Sequence, residues 1–96
     1  MTETGLHVLI ACNGDVRQRY IRTPDLERLE RFATWEWVPC EGGRGFAANE
    51  DPDVLARLLE AAPSADAIIV CNGAPRIDAR VMDVAPRLRF VGELEG

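Results

Sequence analysis

The sequence predicts an α/β fold with a parallel sheet, because short apolar strands alternate along the chain with amphipathic helices. Two nearly continuous apolar runs, LHVLIAC at residues 6–12 and ADAIIVC at residues 65–71, are typical of strands buried on both faces. Between them, DPDVLARLLEAAP starts with Asp51 and has leucines at helical spacing. Right-handed connections between such units predict three layers, with helices on both faces of one sheet.

The remaining elements complete the alternation. Thr23 is the predicted N-cap of a helix that has Pro24 at its first position. The stretch WEWVPC, residues 35–40, alternates as an edge strand does. Asp78 is the predicted N-cap of a last helix, and RLRFVG, residues 87–92, predicts the fourth strand. We therefore predict four parallel strands in the order 2-1-3-4.

Length, composition and charge indicate the class of protein and its partners. The 96 residues are 47% hydrophobic and 28% charged, which fits one small globular domain over residues 1–96. The net charge is −5 and the 11 basic residues are scattered arginines, so nucleic acid is not an expected partner. The start, MTETGLHVLIAC, has neither a basic region nor an apolar run that is long enough for export or membrane insertion. We expect a cytoplasmic protein.

Three cysteines and one histidine are the candidate reactive side chains. Cys12, Cys40 and Cys71 each fall at the carboxyl end of a predicted strand, on three neighbouring strands. They are either nucleophiles or metal ligands, or reduced thiols that act as small buried hydrophobic groups. The second interpretation is favoured, and no metal is expected, because no C-x-x-C pair or second histidine accompanies them. His7 begins the first strand, at the opposite end, so no catalytic residue is predicted.

Ligands of parallel α/β sheets bind beyond the carboxyl ends of the strands, which here continue as NGDVR, EGGRGFAANE, NGAPR and GELEG. The second of these loops contains GRGFAA, residues 43–48, which formally satisfies the dinucleotide pattern G-x-G-x-x-A. Three residues, including Glu50 and Asp51, intervene before the helix, and their carboxylates would repel phosphate. A P-loop is excluded because the chain has no lysine. The sequence therefore predicts no bound nucleotide.

The segment ADAIIVCNGAPRIDARVMDVAPRLRFVGELEG, residues 65–96, resembles the N-terminal part of D-isomer-specific 2-hydroxyacid dehydrogenases. Similar chains have an apolar strand, a polar loop, a helix of the kind I-D-A-x-V-x-D-x-A-P-x-L, and then a strand and a glycine-containing turn. The resemblance extends more loosely to the helix that follows Asp51 and to the first strand. It implies a flavodoxin-like substrate-binding domain within a two-domain, NAD-dependent oxidoreductase.

The resemblance also implies which residues bind substrate. Backbone N–H groups of the turn after the fourth strand would hold the carboxylate of a 2-hydroxy or 2-oxo acid, as an anion nest does. Together with the loop after the third strand, the predicted substrate-binding residues are Asn72, Gly73, Gly92, Glu93, Leu94, Glu95 and Gly96. In the family this turn is apolar and glycine-rich, whereas Glu93 and Glu95 would repel a carboxylate unless they point away. The substrate class therefore stays open.

Two functions follow from these observations. The first is the N-terminal part of a dehydrogenase substrate-binding domain, incomplete at its C-terminal side and inactive by itself. The family's Rossmann glycines and its catalytic arginine, glutamate and histidine lie further along a full chain, and this chain binds no cofactor. The alternative is a self-contained flavodoxin-like module that binds a small ligand or a partner. In either case we expect an exposed apolar sheet face over the last two strands, and self-association through that face or edge.

Overall fold

A four-stranded parallel sheet forms the centre of the computed structural model, which describes residues 5–41 and 48–94. The strands are β1 (Leu6–Cys12), β2 (Ala33–Pro39), β3 (Ala67–Val70) and β4 (Phe90–Glu93). Their order is β2-β1-β3-β4, which confirms the predicted order and matches the first four positions of flavodoxin-like sheets. β1 lies between β2 and β3, where Leu9 is opposite Glu36 on one side and Ile68 on the other.

Within the described residues, four helices accompany the sheet: α1 (Gly14–Tyr20), α2 (Thr23–Leu29), α3 (Pro52–Ala61) and α4 (Ala79–Met82), with a 3-10 turn at Ala62–Ser64 after α3. The sequence prediction took the residues of α1 for a loop. The helix forms because the Asn13 side chain accepts a hydrogen bond from the Val16 N–H and because Val16 is buried against the sheet. The prediction of Thr23 as an N-cap was also wrong, since Arg22 occupies that position and α2 begins at Thr23.

The face covered by α3 and α4 contains most of the fully buried side chains. Leu9 and Ile68 of the sheet pack there with Leu58 of α3 and Val81 of α4, and all four are inaccessible to solvent. The Asp51 side chain caps α3 as an acceptor for the Asp53 N–H, as the sequence suggests. Complete burial of such side chains is the main favourable contribution to folding of a domain of this size.

The opposite face is only partly covered by α1 and α2. Val8 and Ile10 of β1 are buried there, but over β3 and β4 the side chains of Phe90 and Leu94 are 58% and 47% exposed. They border an open apolar groove of about 580 Å³, whose lining also includes Tyr20, Leu29 and Ile69. This confirms the prediction that an apolar face of the sheet is exposed over the last two strands.

Strand lengths differ from the predicted ones for local reasons. β3 covers four residues, fewer than the run at residues 65–71, because the N–H of Ala65 still bonds to Ala62 in the preceding 3-10 turn. β2 begins at Ala33, two residues earlier than predicted, and is an edge strand as expected. β4 continues through Gly92 to Glu93, where the sequence predicted a turn.

Candidate functional site

The carboxyl edge of the sheet brings together the loops that follow β1, β2 and β3. Asn13 donates its backbone N–H to the Asn72 carbonyl at 2.9 Å, and Cys40 donates its N–H to the Cys12 carbonyl at 3.1 Å. The Trp37 indole N–H also donates to the Cys12 carbonyl, at 3.0 Å. These bonds cross between strands, so the edge is held as one unit.

Asn49 lies near the end of the loop between β2 and α3, and it connects that part of the loop to the same edge. It is a buried polar residue, and all its polar contacts are internal. Its side-chain amide donates to the Glu41 carbonyl at 2.8 Å, while its backbone N–H donates to the Ala74 carbonyl at 3.0 Å. Its Oδ1 accepts the Asp51 N–H at 2.9 Å, next to the start of α3. Satisfied buried polar groups of this kind give a loop a defined position.

Asn72 and Gly73, two of the predicted substrate-binding residues, lie at the centre of this edge. Gly73 has a φ of +97° and is buried between the residues that follow β1 and β2. A Cβ at this position would overlap the Cys40 carbonyl oxygen and come within 3.1 Å of the Asn13 Cβ. Only glycine combines that backbone conformation with so close an approach.

The predicted turn at residues 92–96 starts later than the sequence suggested. Gly92 and Glu93 are extended and pair with Ile69 and Val70 of β3, and only Leu94 lies beyond the strand, where its N–H donates to the Val70 carbonyl. Successive N–H groups of an extended strand point in opposite directions, so those of residues 92 and 93 cannot converge on one anion. Glu95 and Gly96 lie outside the described residues, as does most of the GRGFAA loop.

A small polar cleft opens beside this edge, between the loops that follow β2 and β3. Its volume is about 250 Å³, and its lining includes Asn49, Glu50, Arg76, Asp78 and Arg80. Arg80 is paired with Asp78 at 2.9 Å, and hydrogen bonds from Arg80 lower the pKa of the Asp78 carboxyl. Arg76 is exposed and follows Gly73 by only three residues. Arg76 therefore brings a positive charge to a cleft that also contains the Glu50 carboxylate and the paired Asp78 and Arg80.

The three cysteines lie at the ends of their strands at the same edge, as predicted, and none of them forms a disulfide. Burial raises the pKa of the Cys12 thiol to about 11, and the neighbouring Cys71 adds to this shift. Burial likewise raises the pKa of Cys40 to about 12, with a smaller effect from Cys12. Because the thiolate is the nucleophile, these two residues carry little of the reactive form at neutral pH. Their environment supports a packing role.

His7 lies at the opposite, amino edge of the sheet, as the sequence predicted. Its Nδ1 is 2.7 Å from the Thr34 hydroxyl, and its Nε2 is 3.5 Å from a Glu36 carboxylate oxygen. The backbone N–H of His7 donates to the Asp66 carboxylate, which Arg87 also contacts, at 3.2 Å. These contacts join β1, β2 and the segment before β4, far from the candidate site.

Arg17 is the feature of this region that the sequence did not predict as part of a site. It extends from α1 across the side chains of Trp35 and Trp37, with its Cζ 5.6 Å and 4.9 Å from their ring centroids. The spacing of the two tryptophans could have predicted this contact, since residues two apart in a strand share a face. A basic residue on a neighbouring helix could then be expected to stack on them.

Residues 5–41 and 48–94 contain neither a cluster of metal-binding side chains nor a membrane-spanning helix. In that part of the chain, no three histidine, cysteine or acidic side chains come together as they would around a metal ion. No helix found there has the length and apolar character needed to cross a bilayer.

Comparison of the chain with protein-family models, with curated proteins and with solved structures found no match.

Proposed function

We propose that this chain is the N-terminal part of the substrate-binding domain of an NAD-dependent D-2-hydroxyacid dehydrogenase. The observation that carries the proposal is the position of Asn72 and Gly73. In the 2-1-3-4 sheet they follow β3 at the carboxyl edge, where the resemblance to the dehydrogenase family implies the substrate. Leu94, another residue implied by the resemblance, follows the neighbouring strand at the same edge.

The chemistry proposed for this chain is binding and orientation of a small acid. Arg76 would supply positive charge from the lining of the cleft of about 250 Å³. The Asn72 side chain, which is not part of that lining, would supply a neutral hydrogen-bonding group from the same loop after β3. Gly73 fixes the backbone of that loop, so that the two groups keep their relative position. The resemblance implies that the substrate carboxylate lies near Leu94, beside the end of β4.

The described residues do not fit a nicotinamide dinucleotide. Dinucleotide pyrophosphates bind where a glycine-rich turn opens a helix and leaves its N–H groups free. Here the turn from β1 into α1 has a single glycine, and the Gly14 N–H already donates to the Glu41 carboxylate at 3.2 Å. That carboxylate would repel a pyrophosphate. In the proposed function this chain therefore has a role toward the substrate alone, and it transfers no hydride by itself.

The cytoplasm is the proposed compartment. Cys12, Cys40 and Cys71 form no disulfide, and reduced cysteines are usual in proteins that stay in a reducing compartment.

The proposal is tested by titrating the ¹⁵N-labelled chain with pyruvate and with lactate while amide resonances are recorded. We expect saturable shifts at Asn72, Gly73 and Leu94, and a loss of these shifts in Arg76→Met. Arg89→Met, which removes an exposed arginine before β4, is the matched control and should bind as the unmodified chain does. NADH should cause no saturable change. Absence of shifts with either acid would overturn the proposal and favour the alternative, a self-contained module that binds a ligand or partner without catalysis.

A further inference from the structure

The Arg17 side chain is held in place by both tryptophans of the chain. Trp35 and Trp37 lie on the same face of β2, and the Arg17 guanidinium lies over the two rings, nearer to Trp37. A guanidinium is attracted to the negative face of an indole and stacks on it. The orientation of its donors is therefore fixed before any ligand arrives.

The hydrogen-bonding capacity of Arg17 is not used within the described part of the chain. Its Nε is buried and has no acceptor. Arg19 and Arg87 pair with Asp15 and Asp66, whereas Arg17 forms no ion pair with a described carboxylate. Because this Nε has no accessible surface, a ligand would be held by the terminal nitrogens of the guanidinium, which form no hydrogen bond with a described residue.

The space next to Arg17 is rich in further donors. It is a cleft of about 380 Å³ between α1 and α2, which we call the Arg17–Arg22 cleft, and its lining residues are Arg17, Gln18, Ile21, Arg22, Thr23 and Leu26. The lining therefore includes two arginines, a glutamine and a threonine, and no acidic residue is in it. The nearby Asp25 carboxylate is engaged with the Arg22 backbone N–H at 3.1 Å. Such a concentration of donors is notable in a chain with a net charge of −5.

We propose that the Arg17–Arg22 cleft binds a small oxyanion, which is a phosphate or a carboxylate group. Two guanidinium groups that face one space suit the planar or tetrahedral oxygens of such a group, since each can donate a pair of parallel hydrogen bonds. Ile21 and Leu26 form an apolar side against which the rest of a small organic anion would pack. The cleft lies between α1 and α2, away from the Asn72–Gly73 loop, so this inference does not depend on the dehydrogenase proposal.

The two tryptophans make the proposal directly measurable, because the chain has no others and both contact Arg17. Inorganic phosphate, and separately acetate, is added to the 96-residue chain at constant ionic strength, and sodium chloride serves as the blank. We expect a saturable change of indole fluorescence with a dissociation constant of about 1 mM, the usual weak range for a single small anion. Tighter binding of phosphate than of acetate would identify a phosphoryl group as the preferred ligand. Tighter binding of acetate would identify a carboxylate.

Arg17→Met and Arg22→Met should each weaken binding by about tenfold, the loss expected for one charge-assisted contact. Arg28→Met is the matched control, because Arg28 is an exposed arginine of α2 outside the cleft, and it should bind as the unmodified chain does. Arg22 is also exposed, so Arg22→Met should keep the fold. This variant tests the proposal if circular dichroism shows that Arg17→Met unfolds the chain. No saturable change, or an equal loss in Arg28→Met, would overturn the proposal.

Discussion

Gly73 and Cys40 approach each other so closely that no side chain fits between them. A Cβ at position 73 would overlap the Cys40 carbonyl oxygen, and the φ of Gly73 is +97°. The turn after β3 is thereby placed between the residues that follow β1 and β2. The shape of the candidate site depends on this one contact.

Gly73→Ala should therefore lower the free energy of unfolding by about 2–4 kcal/mol, through backbone strain together with steric overlap. Urea denaturation followed by fluorescence measures this loss. Gly5→Ala is the control, because Gly5 also has a positive φ, +67°, but no atom lies within 4 Å of the position its Cβ would take. It should cost about 1 kcal/mol, the strain alone. Equal losses in the two variants would show that the contact with Cys40 is unimportant.

Asn13→Ala should destabilise the protein by about 1 kcal/mol, because it removes the cap of α1. The Asn13 Oδ1 accepts the Val16 N–H at 2.8 Å, and α1 has only seven residues. Asn13→Ser keeps an oxygen that can cap the helix and should restore most of the loss. If the serine variant unfolds at the same urea concentration as the alanine variant, capping does not explain the role of Asn13.

The sheet could be predicted from the sequence because β1 and β3 are nearly continuous apolar runs and because α3, between them, has a clear cap at Asp51. α1 was missed because Asn13-Gly14 has the composition of a turn and because Val16 is the only buried residue of the helix. A helix this short shows no periodicity that could outweigh the turn signal. Its residues form a helix only because the cap and the sheet surface act together.

The sequence could predict at which edge of the sheet the candidate site lies, but not the geometry of its residues. The rule that ligands bind beyond the strand ends placed Asn72 and Gly73 correctly at the carboxyl edge, but Gly92 does not open a turn. The Phe90 ring lies across Gly92, so near that a Cβ there would be 2.9 Å from a ring carbon. Glycine at that position provides room for an aromatic ring. The stacking of Arg17 on two indoles depends on packing between α1 and β2, which composition does not reveal.

The thiols should differ in reactivity in the native protein. Cys12 and Cys40 are buried, with pKa values raised to about 11 and about 12, whereas Cys71 is only half-buried. At pH 7.5 a maleimide should label Cys71 first and the other two much more slowly, and denatured protein should take up three equivalents. Mass spectrometry of the labelled peptides gives the order. Fast labelling of Cys40 would contradict the burial argument.

Stability should fall as the pH rises above about 9. The ordinary pKa of a thiol is 9.0, so above that pH the unfolded chain releases protons that folded Cys12 and Cys40 retain. Folding is then opposed by up to about 1.4 kcal/mol per pH unit for each thiol, until the pH reaches the folded pKa. Denaturation from pH 8 to 11 measures this slope. A Cys12→Ala, Cys40→Ala double variant should have a flatter profile, and an unchanged slope would assign it to other groups.

The apolar groove should bind hydrophobic dyes and promote association at high concentration. Phe90 and Leu94 expose about half of their surfaces beside an open space of about 580 Å³. Phe90 lies on β4 and Leu94 directly follows it; β4 is an edge strand of the described sheet, and such an edge can pair with another chain. Exposed apolar surface next to an unpaired edge favours contact between copies.

Phe90→Ser should lower the fluorescence of bound anilinonaphthalene sulfonate by about threefold and reduce association, since Phe90 has the highest fractional exposure of the large apolar side chains that line the groove. Met82→Ser is the matched control: Met82 is 54% exposed, close to the 58% of Phe90, but lies on α4, which packs on the other face. Light scattering of the unmodified chain should give a mass that rises with concentration above the 10.6 kDa of one copy. Two results would contradict this: the unmodified chain stays monomeric at all concentrations without binding dye, or both substitutions have the same effect. Either result would mean that the groove binds neither dye nor a second chain.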